Sequence, residues 1–472
     1  MTSLVEKGIS ELSWFRKSAD AAQPLDVKPI DWRVNLAVVW VTQFISLSAI
    51  YFCIPFLPLY LKQKNFVPLE DTALWSGIFI GAAPASMMIM SPIWGSLGDR
   101  YGRKIMIVRS TLAAAVVFYM MGVVESMGAL IVLRVMQGVF TGIIPSAQGL
   151  VAAQTPNNRQ GLAMGLMMGA INASFSVGSY FGGIFAARYG AAATFQVGGL
   201  MQILVTVLVI FGVRENFVPP TPEVMAASQS ARLRKKAEKI AGFWVGVPAL
   251  IGIAFVAVLQ TYDGPILPLY IDELYRNALS VSELATLDDA AINAKVFPVT
   301  GYLTSAAGIV SVGGSMFISY LMDRKTSRWL WVAISLLCAG GMVWVCVEQS
   351  IFGLATGRLL FMFFVSGLAS ILVVILSRMT HSSKRGGAMG WTVSARCVGW
   401  AAAPVVGGWV GQTFGYVSSY WLLGILCLFL IPFFIYLTSR YPGAFSGNIQ
   451  NEEPDIPVRP PAVEDDVDTG ER

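Results

Sequence analysis

Gly95-Ser96-Leu97-Gly98-Asp99-Arg100-Tyr101-Gly102-Arg103-Lys104 is a short turn, rich in glycine and charge, set between two long apolar stretches. Its glycines permit a sharp reversal of the chain and close approach of the flanking helices, and its basic residues favour the cytoplasmic side of a bilayer. The stretches on either side, about residues 72–94 and 105–124, match the roughly 20 residues that one membrane crossing needs. Working outward, ten further stretches of similar character follow, at about 34–61, 128–150, 161–187, 193–212, 243–271, 298–322, 329–347, 351–378, 387–411 and 417–438. Of the 472 residues, 55% are hydrophobic and 13% charged, so the bilayer must be the solvent for most of the chain.

The two halves repeat one another. Asp99-Arg100 and Arg134 recur 224 positions later as Asp323-Arg324 and Arg358, and Gly182-Gly183 recurs 225 positions later as Gly407-Gly408. Pro55-Phe56-Leu57-Pro58-Leu59-Tyr60 has its counterpart in Pro265-Ile266-Leu267-Pro268-Leu269-Tyr270, at an offset of 210. The shorter offset puts extra length into the loop near 272–297, where a short surface helix is expected. A duplicated helical membrane unit is the architecture of secondary transporters, whose substrate site lies at the interface of the repeats. The expected fold is therefore all-α, with twelve transmembrane helices in two pseudo-symmetric bundles of six. The expected divisions are a tail over 1–33, bundles over 34–213 and 243–438, a linker over 214–242 and an acidic tail over 439–472.

Lys and Arg fix the orientation. Only Lys62, Lys64, Arg188, Arg276 and Lys295 fall in segments assigned to the outside, which puts both tails in the cytoplasm and accounts for the net charge of +5 without a nucleic-acid partner. The leading segment lacks the apolar stretch and small-residue site of a cleaved signal. Cys53, Cys338, Cys346, Cys397 and Cys427 all fall inside spans and read as packing residues. The linker carries Arg232-Leu233-Arg234-Lys235-Lys236, read as a solvated basic connector. The Pro-rich trailing segment with Glu464-Asp465-Asp466 is too polar to fold alone.

Three motifs resemble signatures of the major facilitator superfamily. The opening turn matches G-x-L-a-D-r-x-G-r-k between spans two and three; Leu133-Arg134-Val135-Met136-Gln137-Gly138 in span four is similar to l-R-x-x-q-G. Span five, with Gly178, Gly182 and Gly183, resembles an antiporter signature from which it departs at Ser174 and Ser179; in span eleven Pro404 stands before Gly407-Gly408. Asp31-Trp32-Arg33-Val34-Asn35-Leu36, Trp75-Ser76-Gly77 and Arg396 bring the chain near the multidrug efflux branch of MdtG type. The resemblance implies proton-coupled export of amphipathic small molecules from a bacterial inner membrane, without a cofactor and without enzymatic activity.

It also implies roles for particular residues. Gly95, Gly98, Asp99, Arg100, Gly102 and Arg103 form a conformational latch, with Asp99 set against the positively polarised start of span eleven. Arg134 takes part in proton coupling, although it lies about six residues from the outer end of its span, ~9 Å, where snorkelling to the interface is a competing reading. Gln137 and Arg396 belong to the cavity or its gate. Gly178, Gly182, Gly183, Pro404, Gly407 and Gly408 let helices pack and slide. Asp263 is the one carboxylate well inside a span, and a desolvated carboxylate is suited to loading and releasing a proton, while placement at the interface is the alternative. Arg396, the deepest charge, either binds an anionic substrate or answers Asp263. Methionines in spans two and five and Phe361–Phe364 either line an adaptable cavity or pack against neighbours. A monomer is expected. The competing functions are a carrier dedicated to one metabolite, such as an organic anion, and a non-transporting sensor; no nucleotide-binding loop, metal-ligand cluster or catalytic triad favours an enzyme or ATP-driven pump.

Overall fold

The computed structural model describes residues 31–156, 159–217, 246–324, 328–379 and 385–442, leaving out the side chains of Pro92, Asp99, Asp323, Arg324, Arg328 and residues 385–390. The linker's basic run, His381 and the tails apart from 31–33 and 439–442 lie outside these residues. Those described are helical apart from short turns. Span one comprises α1 (Trp32–Tyr51) and α2 (Leu57–Lys64); spans two and three are α3 (Thr72–Tyr101) and α4 (Arg103–Met121). Span four is α5 (Met127–Phe140) with α6 (Ile143–Gln154), and spans five and six are α7 (Gln160–Tyr189) and α8 (Ala191–Gly212). The second half begins with α9 (Gly246–Thr261) and α10 (Leu267–Ala278), which form span seven, followed by a short helix α11 (Val281–Thr286). It continues through α12 (Asp289–Arg324), α13 (Arg328–Glu348), α14 (Ile351–Met379) and α15 (Arg385–Phe414), and ends with α16 (Tyr416–Leu428) and α17 (Leu430–Arg440), which share span twelve.

Ten of these stretches are long and apolar enough to cross a membrane; α9 with α10, and α15, supply the other two of twelve. Large apolar side chains such as Ile89, Phe211, Met316 and Phe352 point outward, an exposure that lipid tolerates and water does not. Span eight begins at Asp289, nearer the preceding loop than the expected 298, because Asp289 and the residues after it extend the helix beyond its apolar part. The short helix expected near 272–297 is α11. Its Ser280 and Glu283 form a reciprocal capping box, which holds the Glu283 carboxyl below the usual range.

Spans one and seven are both broken where the Pro-containing repeat falls. The chain leaves α1 after Tyr51, makes a 3-10 turn over Ile54–Phe56 with Pro55 inside it, and resumes as α2; its counterpart leaves α9 after Thr261 and resumes at Leu267 after Gly264-Pro265. The freed backbone of the second break is satisfied locally, since the Asp263 carbonyl accepts from the amides of Ile266 (3.1 Å) and Leu267 (2.8 Å). At the tight turn between α3 and α4, Gly102 takes φ 96°, a conformation that glycine adopts at no steric cost.

The halves meet along α3 against α15 and α7 against α12. At three glycines the inter-half contact is of backbone on backbone. A Cβ on Gly77 would lie 2.2 Å from the Pro404 carbonyl oxygen, one on Gly408 2.3 Å from that of Ala73, and one on Gly183 3.0 Å from the Gly301 Cα. All three contacts lie in the part of the bundle toward the α3 N-terminus. Toward the Gly102 end, Gly95, Gly165 and Gly169 meet nothing within 4 Å. The halves thus converge at the end marked by Asp71 and part toward the end marked by Gly102.

Candidate transport site

Asp263 sits in the break of span seven, where the chain is not helical and its side chain turns into the core of the second bundle. It is 2% exposed, enclosed by protein. Its partner is Arg358 on α14: Nε donates to one carboxylate oxygen at 2.5 Å and Nη2 to the other at 3.5 Å. Arg396, the partner the sequence offered, is not the one. It is half-buried on α15, with no hydrogen bond or ion pair among the described residues, and the guanidinium that meets Asp263 at the break is that of Arg358 on α14. Arg358 Nη1 and the hydroxyl of Tyr420, which lies within reach of both charges, are buried beside the pair without a hydrogen-bond partner among the described residues. A buried ion pair surrounded by such groups holds together only while both charges are present.

The first bundle carries the same slot without the carboxylate. Arg134 occupies on α5 the place that Arg358 has on α14, and the residue 210 positions before Asp263 is Cys53, whose thiol donates to the carbonyls of Ala49 (3.2 Å) and Thr194 (3.1 Å). Arg134 is buried rather than snorkelling. It donates to the Phe79 carbonyl at 3.2 Å and to the Gln137 side-chain oxygen, and its guanidinium lies over the Phe79 ring. Gln137 is thereby a hydrogen-bond acceptor for Arg134. Sequence reasoning brought Arg134 and Gln137 forward and left Arg358 unassigned; the repeat itself held the signal, since it sets 358 against 263 as it sets 134 against 53.

The double glycines share one design in both halves. The first of each pair touches its own bundle's broken span: a Cβ on Gly182 would meet the Phe52 carbonyl oxygen at 2.4 Å, and one on Gly407 that of Tyr262 at 2.1 Å. The second touches the opposite half, Gly183 on α12 and Gly408 on α3. Gly178 packs on the Ser48 carbonyl, and Pro404 lies inside α15, lending its carbonyl to the Gly77 contact. Ser174 bonds back to the Phe44 carbonyl at 2.9 Å. Phe361 and Met167 are fully buried in the helix packing, whereas Met88 and Met168 are exposed.

In the signature turn, Gly102 makes the reversal, while Gly95 and Gly98 make no close approach to another helix, since the halves stand apart at this end. Arg100 is exposed and lies over the Tyr101 ring. Arg103 packs across α6 where a side chain on Gly149 would stand. The contact expected between Asp99 and span eleven involves side chains outside those described. A residue not foreseen, Glu215 beyond span six, caps α4: its carboxylate accepts from the amides of Arg103 (2.9 Å) and Lys104 (2.7 Å).

At the other end the halves are joined by charge. Lys62 on α2 pairs with Asp272 on α10; Arg276 bonds Asp272 at 3.1 Å and Asp289 at 2.6 Å, and Gln412 donates to Asp71 at 2.5 Å. All five cysteines are buried and unpaired. Among the described residues no cluster of metal-ligating side chains occurs.

The sequence matches the family model of the Major Facilitator Superfamily over residues 39–287 and 296–463. The chain belongs to the Major Facilitator Superfamily. It is 26% identical over 415 residues to the multidrug resistance protein MdtG of Rahnella sp., covering 88% of this chain and 96% of that one. It is 28% identical to the protein of the same name from Salmonella arizonae, over 86% and 95% of the two chains. In fold it is similar to a bacterial homologue of the human lysosomal transporter Spinster, solved in an inward-facing and occupied conformation (TM-score 0.66, 15% identity, 87% of this chain and 97% of that one). It is also similar to a peptide transporter, POT, in complex with sulfate (TM-score 0.64, 14% identity, 88% and 96%). The protein is a multi-pass membrane transporter of this superfamily.

Proposed function

We propose that this transporter exports amphipathic small molecules in exchange for protons, by alternating access, with Asp263 as the proton-binding group. The observation that carries this reading is the buried Asp263–Arg358 pair in the break of span seven. Protonation of Asp263 cancels its charge and leaves Arg358 without its counter-ion in a medium of low dielectric, so the packing of α10 and α14 around the pair must change. Loss of the proton re-forms the pair. A coupled carrier needs such a group, one whose two protonation states favour two packings of the same helices.

With both tails and the Gly102 turn in the cytoplasm of a bacterial cell, the converging end of the bundle faces outward and the cavity opens inward. Arg396, charged and unpaired on α15, then binds the anionic or hydrogen-bond-accepting part of a substrate. Arg134 and Gln137 support the first bundle at the equivalent depth, and the turn from Gly95 to Lys104 latches the opposite, outward-open state. The MdtG relatives, multidrug resistance proteins by name, support drug-like substrates. A dedicated carrier of an organic anion is the second reading, favoured by the absence of a counter-ion for Arg396 among the described residues.

The test is the pH gradient of energised inside-out vesicles, with and without the protein, as lipophilic cations, neutral drugs and organic anions are added in turn. Collapse of the gradient that depends on both protein and compound supports proton exchange and gives the substrate class; collapse with anions alone supports the second reading. No response across the panel, with folded protein in the vesicles, removes the proposal.

A further inference from the structure

The second bundle holds a row of hydroxyls that the first bundle lacks. Tyr270 on α10 lies against Tyr420 on α16, with ring centroids 5.5 Å apart and planes at 43°. The Tyr420 hydroxyl is within reach of Asp263, Arg358 and Tyr270. In the other direction Tyr270 also meets Tyr416, at 6.2 Å, and the exposed Glu273 lies within reach of both. Tyr270 and Tyr420 are at most 1% exposed, and neither hydroxyl has a hydrogen-bond partner among the described residues. From the outer end of span seven to the buried ion pair, the order is therefore Glu273, Tyr270 with Tyr416, Tyr420 and Asp263.

The internal repeat supplies a control. Gly190 and Gly415, 225 positions apart, begin α8 and α16 with nearly the same backbone conformation. By that offset Tyr420 stands where the first half has Phe195, and Tyr416 where it has Ala191. By the offset of 210, Tyr270 answers Tyr60, Glu273 answers Gln63 and Asp263 answers Cys53. Tyr60 and Phe195 form the same ring pair, 5.5 Å apart at 42°. There the Tyr60 hydroxyl donates to the Met121 carbonyl at 3.3 Å, and Phe195 has no hydroxyl. Phenylalanine thus satisfies the packing of this slot. A buried hydroxyl left unpaired costs free energy that phenylalanine avoids, so the hydroxyls of the second half call for a role other than packing.

We propose that Glu273, Tyr270 and Tyr420 form the relay by which protons from the outer surface reach Asp263. The inference rests on the proton-exchange reading and the orientation proposed above, and names the route the proton takes. Each hydroxyl accepts a proton at its oxygen and gives up its own to the next group, with water spanning the gaps, so no tyrosine changes charge. The proton ends as O–H on Asp263 and cancels the carboxylate charge that faces Arg358. The charged groups facing the route are Asp263 and Arg358 at its inner end and Glu273 and Asp272 at its outer end. Arg358 repels an excess proton unless Asp263 is ionised to take it, so the relay ends at that carboxylate.

The experiment places the full chain in proteoliposomes with both tails inside, so that added acid reaches the Glu273 end. After a rapid acid jump, time-resolved infrared spectroscopy follows the carboxyl band of protonated Asp263, identified by its loss in Asp263→Asn. Tyr420→Phe and Tyr270→Phe are each expected to slow the rise of that band at least about tenfold while leaving its final amplitude unchanged. Glu273→Gln is expected to slow it as well, and Tyr60→Phe to leave rate and amplitude alone. A merely structural role would shift the amplitude, which reports the protonation equilibrium. Unchanged rates in the tyrosine variants or in Glu273→Gln, or amplitudes that change along with the rates, overturn the relay. An equally fast rise in proteoliposomes of the opposite orientation overturns it too. Should one variant fail to insert, the other two carry the test. No Asp263-dependent band in the parent protein would refute Asp263 as the proton-binding group, and the relay with it; a band whose rate ignores the hydroxyls refutes the relay alone.

Discussion

At the scale of single residues, the two halves differ most where they are most alike. Arg134 and Arg358 occupy equivalent places, yet only the second has a carboxylate opposite it; Cys53 stands where Asp263 would. Asp263→Asn is expected to abolish uphill export while leaving substrate binding intact, measured by gradient-driven efflux beside equilibrium binding; undiminished efflux would take the proton role from Asp263. Arg358→Ala leaves that carboxylate buried and unpaired, at a cost of roughly 3–5 kcal/mol, so it should lower the amount of folded protein. Arg396→Ala removes no bond among the described residues and should weaken substrate binding at unchanged thermal stability; a matching loss of stability would make Arg396 structural. The carboxylate was legible in the sequence because charge inside an apolar span is conspicuous. Its partner was not, since pairing Asp263 with Arg358 rather than Arg396 depends on how α14 rotates against the break, and no local pattern records that.

At the scale of helices, the sequence marked spans well because about 20 apolar residues have few other uses, and it marked breaks less well. Pro55 and Gly264-Pro265 signal the interruptions of spans one and seven. The interruption of span four at Thr141-Gly142 was not foreseen, although Pro145, four residues beyond Thr141, has no amide to donate to the Thr141 carbonyl. The glycine motifs were legible as packing sites but not as a division of labour in which one glycine of each pair serves its own half and the other the opposite half. Gly408→Val would drive a branched side chain into the backbone at Ala73, so α3 and α15 must separate at the closed end. Destabilisation of about 1–3 kcal/mol and a longer distance across the two halves are expected, read by denaturation in detergent and by spin labels. Glu215→Ala strips the cap from α4 and should cost ~1 kcal/mol, visible as a lowered melting temperature. An unchanged melting temperature would mean that water replaces the carboxylate without loss.

At the scale of the whole molecule, the repeat at offsets near 224 read from the sequence gives the two-bundle architecture directly, because duplicated motifs must occupy equivalent places. The conformation could not be read that way. One sequence serves both states of a carrier, and only the contacts show which end is shut. If both tails face the cytoplasm, the orientation proposed from the placement of Lys and Arg, a protease should remove a C-terminal tag in inside-out vesicles and spare it in right-side-out ones; the reverse pattern would turn the transport direction around. Lys62 and Asp272, which the repeat offset of 210 makes counterparts of one another, also bear on how such a chain can be assembled. Two copies of the first half would set Lys62 against Lys62, and two copies of the second would set Asp272 against Asp272, so neither half is fit to dimerise with itself. Expressed as separate polypeptides, the halves should select each other, since only the mixed pair sets opposite charges together at this position.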